Sequence, residues 1–252
     1  MTRLLFILVY LQILSIKMWS NFSVCKIKKW LDDIWLNRQH YNYFITNIKK
    51  INNIVLNYTN SYDIMWRAAK CNYYYGTYLI QDKKKRLKIY ELGIKCGRYA
   101  IKRNLKKAEG IYWLSVLYGK YADTISPFRA LKYVYKMKWG LEKTLKIDDK
   151  YEDGMAYLIL GALYLQYPGW PLGFGDIKIA FQYLSKAYKL NPQCKAVYEY
   201  LALYYYKYKN NKKKALDLLN KALSLPIDEC CIIEEKTILK EVRELKNKIE
   251  ND

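Results

Sequence analysis

The chain has 252 residues, 52% of them hydrophobic and 27% charged, enough to bury a core and too few for more than one or two domains, which excludes a disordered chain. Its formal net charge of +21 favours anionic surfaces. The lysines are nevertheless spread through every segment, and the densest runs, at 83–85 and 212–214, fall where inter-helix turns are expected, so nucleic acid is not expected as a partner.

Residues 1–25 differ from the rest. Arg3 precedes an almost unbroken apolar run at 4–16, LLFILVYLQILSI, shorter than the roughly 20 residues that span a bilayer and shaped like a secretory signal. Lys17, Met18 and Trp19 interrupt the approach to Ser20 and Ser23, the small residues that could mark cleavage. Export, to a periplasmic or membrane-attached location, is the leading expectation; a retained anchor is the alternative. Lipidation at Cys25 is a third, although Val24 stands where a lipoprotein box wants a small residue. Residues 26–60 carry Trp30, Ile34, Phe44, Ile48, Ile51, Val55 and Leu56 at mostly helical spacings and are expected to form one or two helices covering the N-terminal end.

Residues 61–228 contain a repeat. Four segments share one pattern: Trp66-x2-Ala69-x3-Tyr73, Ile111-x2-Leu114-Ser115-x2-Tyr118, Tyr157-x2-Leu160-Gly161-x2-Tyr164 and Tyr198-x2-Leu201-Ala202-x2-Tyr205, recurring after 45, 46 and 41 residues. Offsets of three, four and seven place these residues on one helix face. Second helices follow with small residues at matching intervals: Gly93, Gly97 and Ala100; Met137, Leu141 and Thr144; Ala180, Leu184 and Ala187; Ala215, Leu219 and Ala222. Small residues let two helices approach, and Pro192 and Pro226 forbid continuation beyond the last two. If 62–80 and 85–103 pair antiparallel, Cys71 and Cys96 lie at equal height; a disulfide and two buried thiols both fit. At 229–252, Ile238, Val242, Leu245 and Ile249 read as a helix capping the C-terminal end of the stack.

A bulky residue, Leu-Gly and Tyr, followed by Ala-x3-Leu-x2-Ala and a terminal Pro, resembles the tetratricopeptide repeat (TPR), whose usual period is about 34 residues. The resemblance implies an all-α right-handed superhelix of about four helix pairs with capping helices. From about Tyr62 to Pro226, the elements AEGIYWLSVLYGKYA, YLILGALYLQYPGWPLGFGD and IAFQYLSKAYKLNP also resemble the T component of bacterial TRAP transporters. That second resemblance implies export and a protein partner, the transporter's solute-binding component.

The stretch YPGWPLGFGD at 167–176 interrupts the third hairpin, with Asp176 placed to cap the next helix; it reads either as a plain connection or as a ligand-contacting lip. Its glycines lack the Lys-Ser or Lys-Thr of a phosphate loop. From the outward-prone aromatic positions, Tyr74, Tyr75, Tyr112, Trp113, Trp170, Phe174, Tyr204 and Tyr206 are the candidate partner- or ligand-binding residues, since Tyr and Trp offer large, stiff, amphipathic area. Catalysis is not expected: His40 is the only histidine, leaving a nucleophile without a base and a zinc site without ligands, and the acid pairs Asp148/Asp149 and Glu152/Asp153 suit turns and caps. No cofactor or metal is implied. The expected function is an exported, non-enzymatic scaffold binding a protein partner. A carrier of a hydrophobic small molecule in an apolar channel, possible as a homo-oligomer, and a membrane-tethered cytoplasmic adaptor are the alternatives.

Overall fold

Small side chains decide how these helices meet. In the computed structural model, which describes residues 24–169, 171 and 173–252, the chain is all-α, with no strand among the described residues. Helix α1 covers 24–36 and α2 covers Tyr41–Ile54. Four hairpins follow: α3 (Tyr62–Tyr74) with α4 (Lys83–Arg103), α5 (Ala108–Ala122) with α6 (Pro127–Ile147), α7 (Met155–Gln166) with α8 (Ile177–Leu190), and α9 (Lys195–Lys209) with α10 (Lys212–Ser224). Helix α11 (Ile232–Glu250) ends the fold. Each hairpin packs on the one before it: α5 on both α3 and α4, α7 on α6, and α9 on both α7 and α8, giving the stacked pairs of a TPR-like superhelix.

The predicted small positions lie at the seams. Ala180, Leu184, Ala187, Ala215, Leu219 and Ala222 are all buried. A Cβ on Gly161 would lie 2.7 Å from Leu184 Cγ, so α7 and α8 touch at a distance only glycine permits. Asp176 caps α8, accepting from the Lys178 and Ile179 amides at 2.8 and 3.0 Å. The lysine runs at 83–85 and 212–214 open α4 and α10 rather than forming the turns; the turns' own Asp82 and Asn211 cap those helices, and the lysines project from the first helical turn.

The first hairpin departs from the expected register. Met65, Ala68, Ala69 and Asn72 are fully buried, whereas Trp66 and Tyr73 are half-buried. The motif there runs Met65-x2-Ala68-Ala69-x2-Asn72, one residue earlier than the aromatic pattern indicates. Asn72 fills the slot an aromatic occupies elsewhere, exchanging hydrogen bonds with Asn52 at 2.9 and 3.0 Å and donating to the Ala68 carbonyl. Helix α3 then runs into a π-turn, Tyr75–Leu79, where Gly76 leaves room for the Tyr90 ring. Cys71 and Cys96 are buried and free rather than bridged. Burial pushes both thiols up to about 12, as expected of inert core cysteines.

At the N-terminal end Ile34, Phe44, Ile48, Ile51 and Val55 join the core with 0% exposure. The apolar run at 4–16 lies outside the described residues, and Cys25 is exposed on α1. No helix among the described residues is long and apolar enough to cross a membrane.

Candidate functional site

Helix α11 has two working faces. Val242 and Ile249, fully buried, pack with Tyr198, Ala202, Leu219 and Ala222 of the last hairpin. Glu234, Ile238 and Glu241 turn instead toward the ends of α3 and α5. The superhelix curls far enough that its last helix meets the turn between α1 and α2, and the contact is ionic. Arg38, in the turn between α1 and α2 and only 7% exposed, donates Nε–H to Glu234 Oε1 at 2.7 Å and Nη2–H to Cys231 Sγ at 2.7 Å. Its guanidinium lies 4.4 Å from the centroid of Trp35. Lys195, at the start of α9, closes the adjoining contact on Glu235 at 2.5 Å and on the Pro226 carbonyl at 2.6 Å.

Beside this closure lies an open groove of about 800 Å³ between α11, the π-turn after α3, the start of α4 and the end of α5. Tyr78, Lys120, Asp123, Glu234 and Glu241 are among its lining residues, so both signs of charge face the same space. Burial pushes the Tyr78 phenol up to about 12, with the Glu234 and Glu241 carboxylates adding to it. Burial alone would lower the Lys120 ammonium; the facing Tyr73, Asp123, Tyr90 and Glu241 outweigh it and hold it above the usual lysine range. Deeper between α9 and α11, burial raises Glu199 to about 7, helped by the like charge of Glu241. A mixed-charge lining of this kind suits a polar chain with its own donors and acceptors, and it is unlike the apolar channel expected of a hydrophobic carrier. Among the described residues no group of three or more His, Cys, Asp and Glu could hold a metal ion.

A second polar feature lies inside the stack. Lys70 of α3 places Nζ 3.9 Å from the Trp35 centroid and 4.9 Å from that of Trp113, and pairs with Glu152 at 3.0 Å. Glu152 belongs to a left-handed turn, with φ of 48° there, 53° at Asp153 and 73° at Gly154. This turn corrects the expectation that helix capping accounts for Glu152 and Asp153. The backbone adopts a conformation costly for non-glycine residues, and the Glu152 carboxylate it presents neutralises a lysine held between indoles.

Most of the nominated aromatics are placed in the core rather than outward. Tyr74 is fully buried against Trp35 and Phe44, and its hydroxyl donates to the Arg38 carbonyl. Tyr75 is buried near Phe44. Tyr112 and Trp113 are buried beside Tyr151, to whose oxygen the Trp113 indole donates at 2.9 Å. Tyr204 is buried and stacked on Phe181. The physical reason is common to these helices: each lies between its own hairpin partner and a neighbouring unit, so little of its circumference faces out. Phe174 is half-buried among Tyr135, Tyr164 and Tyr167; Tyr206 is half-buried with its hydroxyl on the Asp252 carboxylate; Trp170 lies outside the described residues. Sequence reasoning passes over Lys70, Lys120 and Glu199. Each is a charge set among large apolar residues of a first helix, as Lys120 is in VLYGKYA.

No curated relative matches the chain. Among solved structures, TTC0263, a thermophilic TPR protein of Thermus thermophilus, is 15% identical and superposes with a TM-score of 0.54 over 82% of this chain and 97% of that one. MamA is 17% identical, at 0.48 over 80% and 94%. YrrB, described as a TPR protein with an unusual peptide-binding site, is 13% identical, at 0.48 over 81% and 90%. The first of these shows the TPR-like fold. Residues 37–167 match the model of the regulator of microtubule dynamics protein 1-3 family, a span from Asn37 at the end of α1 to the close of α7 that makes up more than half of the sequence, and the chain belongs to that family.

Proposed function

We propose that this chain is a non-enzymatic scaffold that holds a polar segment of a protein partner in the groove between α11 and the ends of α3 and α5. The observation that carries this reading is the mixed-charge lining of that groove, which offers Lys120, Asp123 and Glu241 to a partner rather than an apolar cavity to a solute. The family's name points to microtubules as the setting, and a chain of net charge +21 suits an acidic protein surface. The membrane-tethered cytoplasmic adaptor therefore becomes the preferred version, with the run at 4–16 as its anchor. An exported scaffold serving a TRAP-type solute-binding protein is the other version, carried by the motif resemblance alone.

Co-sedimentation of the full chain with microtubules assembled from purified tubulin tests the preferred version. The wild-type chain is expected to pellet with the polymer at low ionic strength, and Lys120→Glu to weaken that association about fivefold or more, the size of a lost charge contact. Equal pelleting of both chains would remove the groove from consideration, and no pelleting of either would remove microtubules. Mass spectrometry of the mature N-terminus separates tethering from export: a retained 4–16 run supports the tether, cleavage the exported version.

A further inference from the structure

The outer face of α6 carries a stripe that the fold does not use. Phe128 is 92% exposed, Trp139 54%, Tyr135 48% and Leu131 42%. Their spacing of three, seven and eleven residues from Phe128 puts them on one line along the helix. Met137, Gly140, Leu141 and Thr144, the residues α6 buries, lie on the opposite side, so the stripe points directly away from the core. It also continues beyond the helix: the Tyr135 ring meets Phe174 of the 167–176 loop at 5.3 Å, and Phe174 stacks on Tyr167 at 4.6 Å.

Charge identifies what this ridge fits. Helix α6 carries Arg129, Lys132, Lys136, Lys138, Lys143 and Lys146 against one acid, Glu142, and Glu142 is paired with Lys138 at 2.6 Å. Five basic side chains therefore flank the stripe with no acid on their own helix to neutralise them. A second copy of this chain would set like charges against each other. A protein partner would have to supply a groove, because the stripe is convex. An anionic bilayer requires neither. Aromatic rings enter the headgroup boundary while flanking lysines reach the lipid phosphates and carboxylates, the arrangement by which interfacial helices bind.

We infer that α6 is a membrane-docking helix that lays Phe128, Leu131, Tyr135 and Trp139 into the surface of an anionic lipid bilayer, leaving the groove at α11 to the protein partner. This docking does not depend on the groove reading, and its test uses no partner protein. The full chain is floated with vesicles of pure phosphatidylcholine and with vesicles containing about one third phosphatidylserine, alongside the double variant Phe128→Ser/Trp139→Ser. Both substituted residues are exposed, so the fold is expected to persist, checked by an unchanged circular dichroism spectrum and melting temperature.

The wild-type chain is expected to bind the anionic vesicles about tenfold more than the neutral ones. The double variant should fall to roughly the neutral level on both, as the loss of two buried aromatic anchors requires. Comparing the two chains separates α6 from any contribution of the 4–16 run, which both retain. Equal binding of variant and wild type to anionic vesicles overturns the proposal. So does a wild-type dimer, seen by light scattering, that the double variant dissolves, because the stripe would then be an interface between copies.

Discussion

Helices α7–α10 and helices α1–α4 bury their first helices by different means. In α7–α10 the seams follow one rule: Gly161 and Ala202 on first helices, and Ala180, Ala187, Ala215 and Ala222 on second helices, let the backbones close on leucine and tyrosine. In α1–α4 the equivalent space holds polar groups. Asn72 pairs with Asn52, Lys70 lies between Trp35 and Trp113, and Arg38 reaches Glu234 across the ring. Apolar seams are tolerant of which unit lies next in the stack. Buried polar pairs specify one partner, since leaving either member alone costs its desolvation. The regular half supplies the repeat; the irregular half determines where the superhelix closes.

The strongest way to break that comparison is Arg38→Ala. It leaves Glu234 and Cys231 facing a space from which the guanidinium is gone, and the loss of one member of a buried pair costs about 3 kcal/mol. The double substitution Arg38→Met/Glu234→Leu removes both charges and is expected to recover much of that loss. Urea denaturation of Arg38→Met, Glu234→Leu and the double variant measures the coupling. If the two single changes simply add, the ionic closure is ornamental and the α11 contact rests on apolar packing alone.

Next in size is Gly161→Ala in the regular half. The added methyl meets Leu184 Cγ at 2.7 Å and its Cδ2 at 2.8 Å, so α7 and α8 must separate, at about 1–3 kcal/mol. The control is Gly169→Ala in the 167–176 loop, where the nearest atom to a new Cβ is the Gly175 carbonyl oxygen at 3.4 Å, and the expected change is within about 0.5 kcal/mol. Comparable losses at both sites would mean that the seam is loose and the small-residue rule does not govern it.

The same contrast explains what can be seen in the sequence. Regular seams leave a periodic trace, so the hairpins, their small positions and the Asp176 cap follow directly from residue spacing. The motif of the first hairpin reads one residue late because Trp66 and Tyr73 imitate the aromatic pattern while the buried position belongs to Asn72. Ion pairs across the ring leave no such trace: Arg38 and Glu234 are 196 residues apart, and nothing local marks either as a partner. Tyr74, Tyr75, Tyr112, Trp113 and Tyr204 fail as outward positions for a related reason. Consecutive tyrosines indicate that a helix has more than one apolar side, but not that a neighbouring unit covers the second side. The α6 stripe is legible as spacing, Phe128, Leu131, Tyr135, Trp139, yet only the three-dimensional stack shows that these four side chains stay exposed.

The smallest expected effect concerns Glu199, between α9 and α11. Its folded-state pKa of about 7 lies above that of an exposed glutamate, because burial and the Glu241 carboxylate both oppose ionisation. The folded protein therefore holds a proton that the unfolded chain has released between about pH 4.5 and 7, and stability contributed by this site falls as pH rises through that window. Above pH 7 the loss is complete. With allowance for the partial exposure of the side chain, it amounts to about 1–2 kcal/mol. Glu199→Gln keeps the shape and removes the titration, so it should stabilise the protein by that amount at pH 8 and leave it unchanged at pH 4.5. Thermal melts of both chains across this range provide the measurement. A constant difference at every pH would assign the effect to packing of the amide, and Glu241 would then have no part in how α11 is held.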